Sequence, residues 1–182
     1  FSIIGNKAEV TVLDLQSKFS GINFKAKPVY VNKQNVISLI REKDVILLCV
    51  DNHHTRNTVS KRCGELDDIL LISGGNDFTD GDVFIFAKQD GKDGKKYNKT
   101  MTELAPAIAQ PNDKNPGDLN DEDRQGCQFE SITNPQLLFT NLAIASTMCN
   151  CYYAYTQNKL NCERVCVDII TQCSRPKPEP VF

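Results

Sequence analysis

The chain has 182 residues, 40% of them hydrophobic, with 21 basic against 23 acidic side chains and a formal net charge of −2. That length supports one buried core, and a near-neutral balance without a block of like charges gives no electrostatic footprint for nucleic acid or an anionic membrane. The longest apolar runs, Val45 to Val50 and the 68–73 region, fall far short of the roughly 20 residues that span a bilayer. The expectation is a soluble, cytoplasmic, single-domain protein over residues 1–182.

From Ala8 the apolar positions Ala8, Val12, Leu15 and Phe19 follow helical spacing, which predicts a helix over about 7–20, stopped by Gly21. Asn23 to Val31 is strand-like, although Pro28 argues against a fully hydrogen-bonded interior position. Asn32 suits an N-cap for a second helix over Val36, Ile37 and Ile40. The unbroken run Val45 to Val50 reads as a central parallel strand covered on both faces. It ends in Asp51, just before a third helix, where open α/β sheets place their ligands.

Ile69 to Ser73 makes another short strand, closed by Gly74-Gly75-Asn76-Asp77, and Asp82 to Lys88 a further one after a turn at Asp80-Gly81. Residues 89–126 are rich in Gly, Pro, Asn, Asp and Lys and too long for an ordinary connection. They read as a crossing or lid loop, with Met101 to Ala109 apolar enough to pack locally. The longest helix is expected at about 135–157, burying a stripe of Leu138, Leu142, Ala145, Cys149 and Tyr152. Arg164 to Cys173 alternates as a half-buried strand before a Pro-rich tail. The alternation of helices and strands predicts a three-layer, Rossmann-like α/β fold, mostly parallel, with an antiparallel extension.

Eight cysteines raise the question of zinc, but no paired Cys-x-x-Cys units occur. Reduced cysteines acting as small hydrophobes are expected, with Cys63 packing on the apolar side of its helix and zinc unlikely. His53 and His54 are adjacent, so they point to different faces and cannot form a metal pair at i, i+4 spacing.

The segments Gly5-Asn6-Lys7-Ala8-Glu9-Val10, Val50-Asp51-Asn52 with Thr55-Arg56, and Asn134-Pro135-Gln136 before an apolar helix containing Asn141 carry a resemblance. In that order and spacing the chain resembles the ThiF/MoeB/HesA adenylyltransferases, relatives of the ubiquitin-activating enzymes, from Phe1 to about Tyr155. Cys127 through Ala145 is most similar to the ThiF-type proteins of bacterial plasmid and mobile-element clusters.

The resemblance implies an enzyme that uses ATP and magnesium to adenylate the C-terminal glycine of a ubiquitin-like or sulfur-carrier protein ending in Gly-Gly, working as a homodimer. On that basis Lys7 matches the phosphate-contacting lysine, Asp51 the magnesium-linked aspartate, and Asn52 a support for the nucleotide. Cys127 falls near where some relatives keep a cysteine that accepts the activated carrier as a thioester or persulfide. Such a cysteine needs a positive neighbour to lower its pKa, and Arg124 is the only candidate. Taken alone, Asp51 also reads as an ordinary helix N-cap, Lys7 as a solvated lysine, and Arg56 as a structural ion pair holding helix to loop.

The family's Gly-rich strand-to-helix loop, its ribose-binding acid and its phosphate-clasping arginines lie upstream of the lysine helix in relatives and are not found in this sequence. The chain therefore reads as the carboxyl-terminal portion of an adenylation domain that lacks its first nucleotide-binding βα units, and it is expected to bind ATP poorly by itself. The alternative is a non-catalytic, ThiF-like subunit that docks a carrier protein or a catalytic partner. A generic dinucleotide-binding module is disfavoured by the missing Gly-rich fingerprint.

Overall fold

A computed structural model describes residues 5–89, 92–93, 97, 99–112 and 137–176. The chain separates into two compact units, Phe1–Val31 and Asn32–Phe182. In the first, helix α1 (Lys7–Lys18) starts where Asn6 Oδ1 accepts the Ala8 N–H at 2.9 Å, and it ends as Phe19 N–H donates to Leu15 O. Ala8, Val12 and Leu15 are half-buried, as their spacing predicts, whereas Phe19 is exposed. The expected strand at 23–31 is not formed among the described residues. Pro28 has no N–H to give a ladder, and Val29 N–H turns back to Lys27 O at 2.8 Å.

The second unit opens with a one-turn helix, α2 (Val36–Leu39), preceded by turns in which Asn32 Oδ1 accepts the N–H groups of Gln34 and Asn35. Strand β1 (Val45–Leu48), helix α3 (His53–Glu65) and strand β2 (Ile69–Asn76) follow, with β1 and β2 parallel in the register Val45↔Leu70 to Leu48↔Ser73. They make one βαβ unit. Strand β3 (Asp80–Gln89) folds back antiparallel on β2.

The hairpin turn lies at Asp77–Thr79, closed by Asp77 N–H to Asp80 O at 2.9 Å, rather than at Asp80-Gly81. Gly81 is inside the ladder opposite Asn76, where a Cβ would strike the Gly75 carbonyl; glycine there serves close backbone approach, not a turn.

The second edge of β3 is shared. Strand β5 (Arg164–Asp168) takes its first half and the short β4 (Lys92–Asp93) its far end, while β6 (Cys173–Pro176) adds to β5. The six-stranded sheet has the order β1-β2-β3-β5-β6 with β4 beside β3. Among these pairs only β1–β2 is parallel, which corrects the expectation of a mostly parallel sheet. The physical reason is the short connections after β2 and β5, since parallel neighbours need a crossover of a dozen residues or so.

The strand expected over 164–173 stops at Asp168, whose carboxylate accepts the N–H groups of Ile170 and Thr171 and turns the chain into β6. Those bonds hold the Asp168 carboxyl below its ordinary value.

Helices cover both faces, so the three-layer expectation holds for this unit. On one side α3 packs with two one-turn helices, α4 (Met101–Leu104) and α5 (Pro106–Ala109), over Ile69, Leu71, Phe84 and Phe86. Met101 and Ile108 are fully buried there, as the expected local packing of 101–109 requires. The rest of the 89–126 segment, apart from its few described positions, lies outside the described residues.

On the other side α6 (Leu138–Thr156) packs against β2, β3 and β5 and closes a core of Leu70, Ile72, Val83, Ile85, Val165 and Val167 with Ile144, Met148 and Cys151. The stripe expected to be buried is the outward one: Leu138, Leu142 and Tyr152 are 64%, 56% and 41% exposed, while Thr140, Ile144, Thr147, Met148 and Cys151 face the sheet. Both sides of α6 are apolar, so periodicity alone could not choose between them.

Strand β1 corrects a further expectation. It stands at one end of the strand order, not at the centre. Ile46 and Leu48 turn toward α3, but Val45 and Leu47, on the α6 side, are 48% and 50% exposed.

Candidate functional site

The site is built where β1 and β2 end side by side. Because the strands are parallel, their carboxyl ends and the amino end of α3 meet, the arrangement that places ligands at strand ends in open α/β sheets. Asp51 stands there, exposed, two residues beyond Val45–Leu48 and its Cys49 extension. Its carboxylate makes no hydrogen bond or ion pair to the described residues.

The N-cap of α3 is Asn52, whose Oδ1 accepts the Thr55 N–H at 2.7 Å. Capping therefore does not consume Asp51. It does occupy the Asn52 carbonyl oxygen, leaving the amide N–H groups as what Asn52 can offer a ligand.

Arg56 holds this end of the sheet together. Its Nε and Nη2 donate to Val50 O at 3.1 and 2.6 Å, and Nη2 also donates to Gly74 O at 2.9 Å. The residue is only 8% exposed. The guanidinium thus straps the tip of β1 to the tip of β2, one residue before Asp51. Glycine at 75 leaves it room: a Cβ there would run into Nη1 and Nη2 and stand 2.9 Å from Cζ. Sequence reasoning gave Arg56 the strapping role through an ion pair; its carbonyl partners and the room that Gly75 leaves were missed. The signal was the Gly74-Gly75 pair inside a strand pattern, which marks close approach by another group.

The thiols near the site are not activated. Burial pushes the Cys49 thiol above its ordinary value, with the Arg56 guanidinium opposing and Cys149 adding to the rise. Burial pushes Cys63 up to about 12, in keeping with its expected packing role. Cys127 lies outside the described residues, as do Arg124 and Asn134-Pro135-Gln136. Among the described residues no three His, Cys, Asp or Glu side chains gather as a metal cluster.

Lys7 stands in the first turn of α1, exposed, with its carbonyl accepting from the Thr11 hydroxyl at 2.7 Å. It belongs to the first unit, whereas Asp51, Asn52 and Arg56 belong to the second.

A strand-end carboxylate beside a capped helix start is common to many α/β folds. The family model for ThiF matches residues 2–173, nearly the whole chain. The chain belongs to the ThiF family. Members of this family are ATP-using adenylyltransferases that act in general on sulfur-carrier or ubiquitin-like proteins. A search of curated proteins found none that matches this chain. No helix among the described residues is long and apolar enough to cross a membrane.

An exposed carboxylate fits magnesium, which takes one or two protein carboxylates and completes its shell with waters and substrate phosphates. Asp51 offers such a donor next to the amino end of α3.

Proposed function

We propose that the protein containing this chain adenylates the C-terminal glycine of a small ubiquitin-like or sulfur-carrier protein ending in Gly-Gly, with ATP and magnesium. The supporting observation is Asp51: a carboxylate at the joined ends of β1 and β2, exposed and not used for capping, in a chain of the ThiF family. In the reaction a carboxylate oxygen of the carrier's terminal glycine bonds to the α-phosphorus of ATP. The bond from that phosphorus to the bridging oxygen breaks, and pyrophosphate leaves with its electron pair.

Negative charge grows on the α-phosphate oxygens and on the leaving group, so cations there stabilise the transition state. Bound magnesium supplies such charge at the phosphates. Asp51 would hold it, Lys7 would neutralise the α-phosphate, and the free amide edge of Asn52 would support the nucleotide. Both units then belong to one adenylation domain, which acts in the cytoplasm as a homodimer. Cys127 is the proposed acceptor of the activated carrier.

A second reading is a non-catalytic docking subunit: Gly74 and Gly75 are paired inside β2, so neither of them forms a Gly-rich strand-to-helix phosphate loop.

Mass spectrometry of a diglycine-ended carrier incubated with ATP, magnesium and the full encoded protein separates the two. Acyl-adenylate on the carrier's terminal glycine supports catalysis. Stable carrier binding without adenylate supports docking.

A further inference from the structure

The end of the sheet that holds Asp51 also gathers three other segments: the turn between β2 and β3, the start of α6 and the turn after β5. Two hydrogen bonds tie them together. The Thr140 hydroxyl donates to Phe78 O at 2.7 Å, and Ile169 N–H donates to Thr79 O at 3.0 Å. Each segment turns a large apolar side chain to solvent, with Phe78, Phe139 and Ile170 53%, 70% and 71% exposed. Exposed apolar groups gathered within a polar rim mark an interaction surface.

That rim has one sign. Residues 74–83, 137–142 and 168–173 hold four aspartates, Asp77, Asp80, Asp82 and Asp168, and no Lys, Arg or His. Arg164 neutralises Asp82, donating to it from Nε and Nη2 at 2.8 and 2.5 Å. Arg175 is in register with Cys166, two residues short of Asp168. Asp80 has no ion pair among the described residues and stands directly opposite Asp168 in the ladder. Like charges set opposite each other on paired strands repel, and a cation between them would relieve that repulsion.

We infer that this end face receives the extended tail of the carrier and selects one with a Lys or Arg beside an apolar residue shortly before its Gly-Gly. Reach sets the position. Neighbouring strands lie about 4.8 Å apart, which puts β3 and β5 about 10 and 14 Å across from β1 in the order β1-β2-β3-β5. An extended chain covers about 3.3 Å per residue. With its terminal glycine at Asp51, the tail therefore meets Asp80 and Asp168 with the residues three and four positions before that glycine. The cation sits between the two carboxylates, and its apolar neighbour packs on Phe78, Phe139 and Ile170. The direction of the tail rests on the proposed reaction at Asp51; the charge preference is read from this face itself.

The test is fluorescence anisotropy of labelled peptides ending Leu-Arg-Ala-Gly-Gly or Leu-Glu-Ala-Gly-Gly, titrated without ATP with the full encoded protein, native or carrying Asp80→Lys, Phe139→Ser or Asp67→Lys. Asp67, exposed just before the amino end of β2, is the control for an equal change of charge at the far end of the sheet. The arginine peptide is expected to bind native protein at least about 10-fold tighter than the glutamate peptide, to weaken about 10-fold with Asp80→Lys or Phe139→Ser, and to be unchanged with Asp67→Lys. Asp80→Lys should also come to favour the glutamate peptide, a reversal that a merely unfolded variant cannot give. Equal affinity of the native protein for both peptides, no binding at about 1 mM peptide, or equal weakening by Asp67→Lys overturns the inference. Binding is read without ATP, so the preference can fail while adenylation stands, or stand while adenylation fails.

Discussion

The Arg56 guanidinium fills the space that a side chain at position 75 would need, and from there it reaches the carbonyls of Val50 and Gly74. One buried cation thereby fixes two strand ends and the backbone leading into Asp51. Replacing it with methionine leaves those carbonyls without this donor, at about 1–3 kcal/mol for each group left unsatisfied. Arg56→Met is expected to lose about 3 kcal/mol, and Gly75→Ala about 1–3 kcal/mol by crowding. Urea unfolding measures both; a double variant no worse than the worse single one is the signature of a shared contact.

Asp51 and Asn52 are adjacent and separable. Asn52→Ala removes the cap bond to Thr55 and should cost about 1 kcal/mol of stability. Asp51→Ala, exposed and without a described partner, should change stability by less than about 0.5 kcal/mol. If thermal melting reversed that order, Asp51 would be the structural residue and the proposed division of roles would fail.

The chain's two histidines, His53 and His54, both lie in the first turn of α3 next to Asp51. Their imidazole protons therefore report on the site. Manganese in place of magnesium, added with ATP to the full encoded protein, is expected to broaden these signals in the native protein and to lose that effect in Asp51→Ala. Equal broadening in the variant would mean that the metal is held elsewhere.

Cys63 gives a pH signature. Its thiol titrates near 9 in an unfolded chain and burial pushes it up to about 12 when folded, so the folded state favours the protonated form. The stability this contributes is complete below the unfolded value and is lost as pH rises toward 12, up to about 4 kcal/mol. Urea midpoints should fall across that alkaline window, and less steeply in Cys63→Ala. Exposed Cys149 should alkylate readily at pH 8 while Cys63 does not; prompt reaction of Cys63 in the folded protein would contradict its burial.

What the sequence made legible follows from how local each signal is. The α1 helix, the βαβ unit and Asp51 at a strand end before a helix depend on spacing within a few residues, and those readings hold; Asn32, read as an N-cap, instead closes a turn ahead of the cap residue Asn35, and Phe19 leaves the α1 face for solvent. Readings that depend on distant partners were harder. Val45 to Val50 is apolar throughout, yet Val45 and Leu47 on one of its sides are half exposed. The outward and inward stripes of α6 are alike in composition, so only the sheet decides between them. Parallel and antiparallel strands look the same until the Asp77–Thr79 turn is located, and the use of Gly75 depends on a side chain 19 positions earlier.

The most direct test of the account is ATP–pyrophosphate exchange by the full encoded protein, dependent on a diglycine-ended carrier and magnesium. Lys7→Ala and Asp51→Ala are each expected to lower the exchange at least about 100-fold, the scale on which one transition-state charge partner acts, with Asp51→Ala still folded. Undiminished exchange in the Asp51 variant would contradict the account.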